Sequence, residues 1–431
     1  MVKKERWIEI IKDFHERGIP ELIERSINIP YEIPLKRVIS IIGPRRAGKT
    51  YSMFQLAGKV IKSGADITRI VYVNFERAEI QGCRGKDLLS MMEAFYELYP
   101  QNRDKKTWLF LDEIQNVEEW EGFVRTVIDT ENIQIFISGS SSRLLSREIA
   151  TSMRGRTITY TVLPFSFVDH LTVSGLETGK HLSSSERSKI IHELGVYMQN
   201  GGYPEVVLYP EGKKNILLDI IDTTIYRDIV ERYKIRNTKL LKMLIKSLIS
   251  SEAREFSAHK FYNFIKSMGM KASKNAIYDY ENALAEVFFI FLIRRYSPSL
   301  KQTEQSLPKM YLVDNGILTE NGVNDTGRLM ENLVLNEIIR RGEEVHYYKS
   351  SDGKEVDFVI LEKKQVAKLI QVSFSLEQMD TKEREVTALL KASKELGCNN
   401  LLIITSSKEG SEIIKSKKIN YVPLWKWMLA N

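Results

Sequence analysis

An α/β chain is the fold class this sequence predicts, with a parallel sheet in its N-terminal third and a second α/β unit near its C-terminus, and three observations carry that reading. Between residues 36 and 165, five short runs (37–42, 69–75, 107–111, 133–138 and 157–162) are apolar on both faces and alternate with longer amphipathic stretches. Strands buried under helices on both sides of a parallel sheet have this pattern. The first run leads into a glycine-bearing loop at 43–50, and a helical stretch follows through 61. Beyond residue 310, helix and strand patterns alternate again over a separate set of apolar positions.

Composition bounds the answer. At roughly 150 residues per domain, 431 residues suggest about three domains. Hydrophobic residues at 43% and charged residues at 28% exclude a disordered or fibrous chain. The 63 Lys and Arg against 56 Asp and Glu leave a net charge of +7, compatible with nucleic acid but diluted over a long chain. The longest apolar run, 287–293, stops at Arg294-Arg295 and falls short of the ~18 residues of a membrane span, so no membrane partner is expected. The N-terminus, Met1 to Trp7, has no apolar signal core. The two cysteines, Cys83 and Cys398, exclude a disulfide framework and point to a reducing cytoplasm.

The elements are expected in this order. Residues 1–35 form a helix and then a loop, since Pro30 and Pro34 break any helix before the first strand. Residues 1–165 form the first α/β domain, and 166–235 a mostly helical region interrupted at Gly201-Gly202-Tyr203-Pro204. In 236–309, three short helices (238–250, 258–268 and 274–285) precede an apolar arm at 287–295, an order that suits a winged helix-turn-helix, with 297–309 as a polar linker or wing. In 310–431, a helix at 327–341 precedes strands at 344–349, 355–361 and 368–374, a helix at 381–396 and a strand at 400–405.

Gly43-Pro44-Arg45-Arg46-Ala47-Gly48-Lys49-Thr50 fits G-x-x-x-x-G-K-[ST] at every position, between an expected strand and a helix that continues through Tyr51. Glycines let the backbone curl so that its N–H groups point at phosphate oxygens, and the helix N-terminus adds partial positive charge. Lys49 then reaches the β- and γ-phosphates, and the Thr50 hydroxyl ligates Mg²⁺. Arg45 and Arg46 lie inside the loop and either reach the nucleotide or face solvent. The strand Thr107-Trp108-Leu109-Phe110-Leu111 ends in Asp112-Glu113. Asp112 is expected to hold Mg²⁺ and Glu113 to act as general base on the attacking water.

Polar residues end two other strands. Asn74 is placed to hydrogen-bond Glu113, or is a plain turn residue; Ser138 is placed to orient water or sense the γ-phosphate, or belongs to a Ser-rich turn capping the next helix. Phosphoryl transfer spreads negative charge, so an arginine is needed near it. Arg143, Arg154 and Arg156 follow the fourth strand and are candidates for an arginine finger, in cis or across the boundary of a homo-oligomer, against the plainer reading of surface charge.

Further motifs follow in order: Leu-Phe-Leu-Asp-Glu-Ile-Gln (109–115), Ser-Gly-Ser-Ser-Ser (138–142), Arg-Gly-Arg (154–156) with Leu-Pro-Phe-Ser-Phe (163–167), Gly-Gly-Tyr-Pro-Glu (201–205), Tyr-Leu-Val-Asp-Asn-Gly (311–316) and Glu-Asn-Leu-Val (331–334). With the phosphate loop, they make the chain resemble, over nearly its whole length, an archaeal- and bacterial-type AAA+ family ATPase. The resemblance implies a P-loop parallel-sheet AAA+ domain with a helical lid, a winged-helix domain and a C-terminal α/β restriction-endonuclease-like domain. It also implies ATP binding and Mg²⁺-dependent hydrolysis, with DNA as a partner. A nucleotide-dependent binding switch with little turnover is the alternative.

Nucleases of the restriction-endonuclease-like class hold Mg²⁺ with an Asp and a Glu-x-Lys on adjacent strands, often with a helical Glu. Here Glu331 and Asp357 are present, but Gln371 and Ser373 stand where Glu-x-Lys belongs, so a structural or DNA-contacting remnant is favoured over an active nuclease. Near the expected recognition helix, Lys266, Lys271, Lys274, Arg294 and Arg295 are offset by Asp279, Glu281 and Glu286, which makes a solvated or packing face as good a reading as a DNA reader. The six histidines show no ligand spacing.

Overall fold

The structure is a computed structural model that describes residues 2–141, 153, 155–179 and 181–430. The chain divides into two compact units, 1–163 and 164–431.

The N-terminal unit is built on five parallel strands: β1 (Val38–Ile42), β2 (Ile70–Asn74), β3 (Thr107–Asp112), β4 (Ile133–Gly139) and β5 (Thr157–Thr161), in the order β2-β3-β4-β1-β5. Every residue of β1 and β3 is buried, as strands covered on both faces require. Phe110 and Phe136 stack at 4.5 Å on adjacent strands, within a core shared with Ile39, Ile41 and Leu56. Among the described residues, its α-helices are α1 (Lys4–Arg17), α2 (Lys49–Lys62), α3 (Gly85–Leu98) and α4 (Trp120–Thr130). α1 buries Trp7, Ile10, Ile11 and Phe14, a single face at helical spacing. The strand order reverses at β1, between β4 and β5, which puts the loop after β1 at a topological switch point.

The second unit begins with helices α5 (Phe167–Val173), α6 (Ser184–Asn200), α7 (Pro204–Leu208) and α8 (Lys213–Thr223), and α8 runs on into a π-helical segment, Thr224–Glu231. Next come α9 (Thr238–Ser250), β6 (Arg254–Glu255), α10 (Ala258–Ser267), α11 (Lys274–Glu286), β7 (Ile290–Ile293), α12 (Leu300–Gln305) and β8 (Lys309–Leu312). The three strands form an antiparallel sheet in the order β6-β8-β7. The stretch expected to be a polar linker holds α12, and β8 runs across position 310, where a new domain was expected to start. Then follow α13 (Asn315–Glu320), α14 (Thr326–Arg340), β9 (Glu344–Lys349), β10 (Glu355–Glu362), β11 (Gln365–Ser373), α15 (Met379–Leu396), β12 (Leu401–Thr405), β13 (Gly410–Ile414), β14 (Lys417–Pro423) and α16 (Leu424–Leu429). Their strands form one mixed sheet, β13-β14-β12-β11-β10-β9.

Three motifs of the second unit interlock. Gly201 ends α6 with φ +76°, and a Cβ there would lie 1.9 Å from Asp314 Oδ1. Gly202 N donates to Asp314 Oδ2 at 2.6 Å, and Gly316 N to Asp314 Oδ1 at 2.8 Å. Asn315 donates to the Met198 and Leu329 carbonyls, and Asn332 donates to Asn315. Gly-Gly-Tyr-Pro-Glu, Asp-Asn-Gly and Glu-Asn-Leu-Val thus complete one buried polar network, in which each donor would be costly to leave unpaired.

One titration follows from the packing. Glu281 of α11 is 8% exposed, and burial pushes its carboxyl up to about 7, opposed by the charge of Arg294. A raised native value contributes stability below the unfolded value of 4.5, and that contribution is lost as pH rises through about 7. Glu281→Gln is therefore expected to melt with wild type near pH 5 and above it at pH 8, by at most about 3 kcal/mol. Parallel melting curves at both pH values would exclude this.

Candidate functional site

Sheet register assembles the site. Asn74 pairs with Asp112 across β2 and β3; Leu111 pairs with Ile137, so Asp112 lies beside Ser138; and Ile42 pairs with Gly139 across β1 and β4. All are at the C-terminal ends of parallel strands, where the loop after β1 turns into α2.

The loop needs its glycines. Gly43 has φ +151°, and Gly48, just before α2, has φ +93°. Arg46 between them takes a left-handed φ of +59° and is exposed. Lys49 is 5% exposed; its ammonium donates to the Gly43 and Pro44 carbonyls at 3.2 and 3.1 Å and lies 3.6 Å from Glu113 Oε1. Arg45 reaches Glu76 at 3.5 Å. Tyr51 is exposed and meets Phe54 edge-on.

Asp112 is the hub. Its Oδ2 accepts from Thr50 Oγ1 (2.7 Å), Tyr72 OH (2.9 Å) and Asn74 Nδ2 (3.2 Å), and its Oδ1 accepts from the Ser138 hydroxyl. Ser138 Oγ also accepts from the Glu113 amide at 2.9 Å. Asn74 thus donates to Asp112, where Glu113 had been the expected partner, because strand register sets Asn74 opposite Asp112. Burial, then the charge of Glu113, push the Asp112 carboxyl above its ordinary range, against the pull of its hydroxyl donors. Burial and Asp112 together raise the Tyr72 phenol, which stays a protonated donor. Glu113 leaves β3 in a left-handed conformation, φ +54°, with its side chain largely buried and held by Gln115. A left-handed non-glycine residue at a strand exit marks a site that the surroundings over-determine.

This donor set fits Mg²⁺. The ion prefers hard oxygen ligands and takes one or two carboxylates plus substrate phosphates in preference to a full protein cage. Thr50 and Asp112 supply a hydroxyl and a carboxylate 2.7 Å apart, and the buried carboxylate calls for a nearby positive charge. Among the described residues, no group of three or more His, Cys, Asp or Glu could hold a metal ion.

Arg156 precedes β5 and pairs with Asp129. Because β5 runs parallel to β1, it lies at the opposite end of the sheet from the loop, and within one chain it does not serve as a finger. Arg143 and Arg154 lie outside the described residues.

Three functional neighbours escaped sequence reasoning. Arg25, 7% exposed, donates to the loop carbonyl of Ala47 and to Leu163 O, both at 2.8 Å. Gln55 of α2 exchanges hydrogen bonds with the Arg25 backbone. Arg25 thereby bolts the phosphate loop to the exit of β5. Nothing in its local sequence signals this, whereas Gln55, a polar residue among the apolar positions of α2, was a usable sign. Tyr72, in mid-strand, reads as core.

The fold and the site define a P-loop α/β domain, and residues 35–171 match the family model described as an AAA domain. The rest matches two models of domains of unknown function, DUF8612 over 191–325 and DUF4143 over 326–427. The chain belongs to the family of the uncharacterized protein MJ1544 of Methanocaldococcus jannaschii, with 37% identity over 424 residues, 95% of this chain and 92% of that protein. An uncharacterized protein of Haemophilus influenzae is 30% identical, covering 78% of this chain and 82% of its own length. Among solved structures, AMPPCP-bound DnaA from Aquifex aeolicus (12% identity, TM-score 0.24, 64% of this chain and 86% of that one) and the Aeropyrum pernix ORC1 protein in complex with DNA (12%, 0.27, 78% and 92%) are similar only at a level too slight to carry an argument. Among the described residues, no helix is long and apolar enough to cross a membrane.

Proposed function

We propose that the chain hydrolyses ATP to ADP and phosphate with Mg²⁺. The observation that carries this reading is the convergence of Lys49, Thr50, Asp112, Glu113 and Ser138 at the ends of three adjacent strands. The loop amides of 43–50 and Lys49 bind and orient the β- and γ-phosphates. Thr50 and Asp112 would hold Mg²⁺, which when bound would supply positive charge against the phosphates. Glu113, whose carboxylate faces the Lys49 ammonium at 3.6 Å, accepts the proton of the attacking water. Ser138, bonded to Asp112 and to the Glu113 amide, holds metal carboxylate and base in one geometry. Arg156 and Arg154 are left to act across a subunit boundary of a homo-oligomer.

The test is calorimetric titration with ATP and Mg²⁺ together with a phosphate-release assay. Wild type is expected to bind and turn over; Lys49→Ala is expected to lose binding by about tenfold or more, the loss of a charge-assisted contact. Folded wild-type protein that gives no heat with any nucleoside triphosphate would end the proposal.

A second reading is DNA binding through the module at 238–312, which has the element order of a winged helix. Of the acids on α11, Glu281 is buried and Glu286 is bonded by Tyr233, leaving Asp279 among exposed Lys266, Lys271 and Lys274. Burial of Glu281 takes one of the acids that weighed against this reading away from the surface. Titrating the same preparation with duplex DNA at two salt concentrations decides it, since phosphate contacts weaken steeply with salt.

A further inference from the structure

Lys309 begins β8 and is almost completely buried, 2% exposed, although the sequence places it at the end of a polar linker. Its ammonium lies 2.7 Å from Glu355 Oε1, 3.2 Å from Glu331 Oε1 and 3.3 Å from Asp357 Oδ1. Glu355 and Asp357 alternate on β10 and so share a face; Glu331 comes from α14. Tyr311, two residues along β8 on the same side as Lys309, donates to Glu331 Oε1 at 2.6 Å. These carboxylates line one side of a cleft of about 800 Å³ that also holds Gln371, Arg384 and Glu385.

Glu331 and Asp357 are the positions at which the resemblance to restriction-endonuclease-like domains implies Mg²⁺. The residues present do not fit the ion. An ammonium has three N–H donors, and here three carboxylate oxygens lie within their reach, so the oxygens that would face a metal face Lys309 instead. The other Asp357 oxygen accepts from Val372 N at 2.9 Å. On the adjacent strand β11, the Gln371 amide is committed on both sides: its oxygen accepts from Asp357 N at 3.3 Å and its nitrogen donates to Glu385, which also pairs with Arg384. A divalent ion would have to displace these partners and sit beside a fixed positive charge, at a cost that the low local dielectric enlarges.

We propose that Lys309 is the resident cation of a carboxylate centre formed by Glu331, Glu355 and Asp357: it takes the place of a divalent metal, closes the cleft to one, and locks β8 to α14 and β10. The pairing supplies what a buried Asp357 and two partly buried glutamates need, one compact positive charge with several donors. Without it the same oxygens are left facing each other, the arrangement that recruits Mg²⁺ or Mn²⁺. The inference is independent of the ATPase reading, which uses other residues.

The test is Mn²⁺ binding to the full chain without nucleotide, followed by electron paramagnetic resonance of the free ion, in an Asp112→Asn background that removes the carboxylate of the phosphate-loop site. Lys309→Met keeps length and bulk and removes the charge. That variant is expected to gain an Mn²⁺ site at least about tenfold tighter than anything in its parent, and to lose it again when Asp357→Asn is added. With Lys309 present, Asp357→Asn is expected to leave Mn²⁺ binding unchanged. If Lys309→Met unfolds in metal-free buffer, Mn²⁺ is expected to restore its cooperative melting. A folded Lys309→Met that gains no site, an unfolded one that Mn²⁺ does not rescue, or a parent site that Asp357→Asn abolishes would each overturn the proposal.

Discussion

Glu113→Gln is expected to lower phosphate release by about 10²–10⁴-fold while ATP binding stays within a few-fold of wild type, the range general-base removal produces. The substitution keeps shape and leaves the backbone alone, including the left-handed φ of +54° and the amide that donates to Ser138. It removes the proton acceptor and the charge facing Lys49 at 3.6 Å. Loss of that pairing frees the ammonium for phosphate, so affinity for ATP should hold or rise. A drop in turnover with retained binding separates the base role from a structural one, because a collapsed site would lose both. Equal turnover in the two proteins at matched binding would remove Glu113 from the mechanism.

Gly43→Ala is expected to abolish nucleotide binding and to lower the stability of the N-terminal unit by about 3 kcal/mol, from backbone strain and overpacking together. A Cβ at this position would lie 2.0 Å from the Val162 carbonyl oxygen and 3.0 Å from its carbon. Those atoms are backbone, and Val162 N is hydrogen-bonded to Ile42 O, so they cannot turn aside without parting β5 from β1. The φ of +151° adds strain for any L side chain. Calorimetric melting with ATP titration checks both effects. A variant that melts and binds as wild type does would mean that the loop relaxes freely.

Legibility in the sequence followed the range of the interaction. The inner parallel strands were readable because two-sided burial writes itself as short, mostly apolar runs; β1 and β3 are buried at every position, whereas β5 at the sheet edge is only partly buried. The phosphate loop was readable because its chemistry lies in consecutive residues. The β13–β14 hairpin was missed. β13 is short and largely exposed, β14 buries only alternate positions, and the turn places Lys415 and Ser416 at positive φ without the Asn-Gly or Asp-Gly pair that signals such turns. Asn74 was noticed, but its partner was misjudged: adjacency in a sheet depends on register, which no local pattern states.

By itself the sequence determined the buried strands, the curled loop with its lysine and threonine, and the acids at the end of the third strand, since spacing, side-chain polarity and glycine content are properties of neighbouring residues. Only tertiary structure decided that Asp112 gathers four donors, that Arg25 holds the loop from a preceding segment, that Asp314 closes on Gly202, and that Lys309 fills a carboxylate centre. Each of these joins residues far apart in the chain, and the cost of leaving buried charges and donors unpaired is settled only where the folded backbone brings them together.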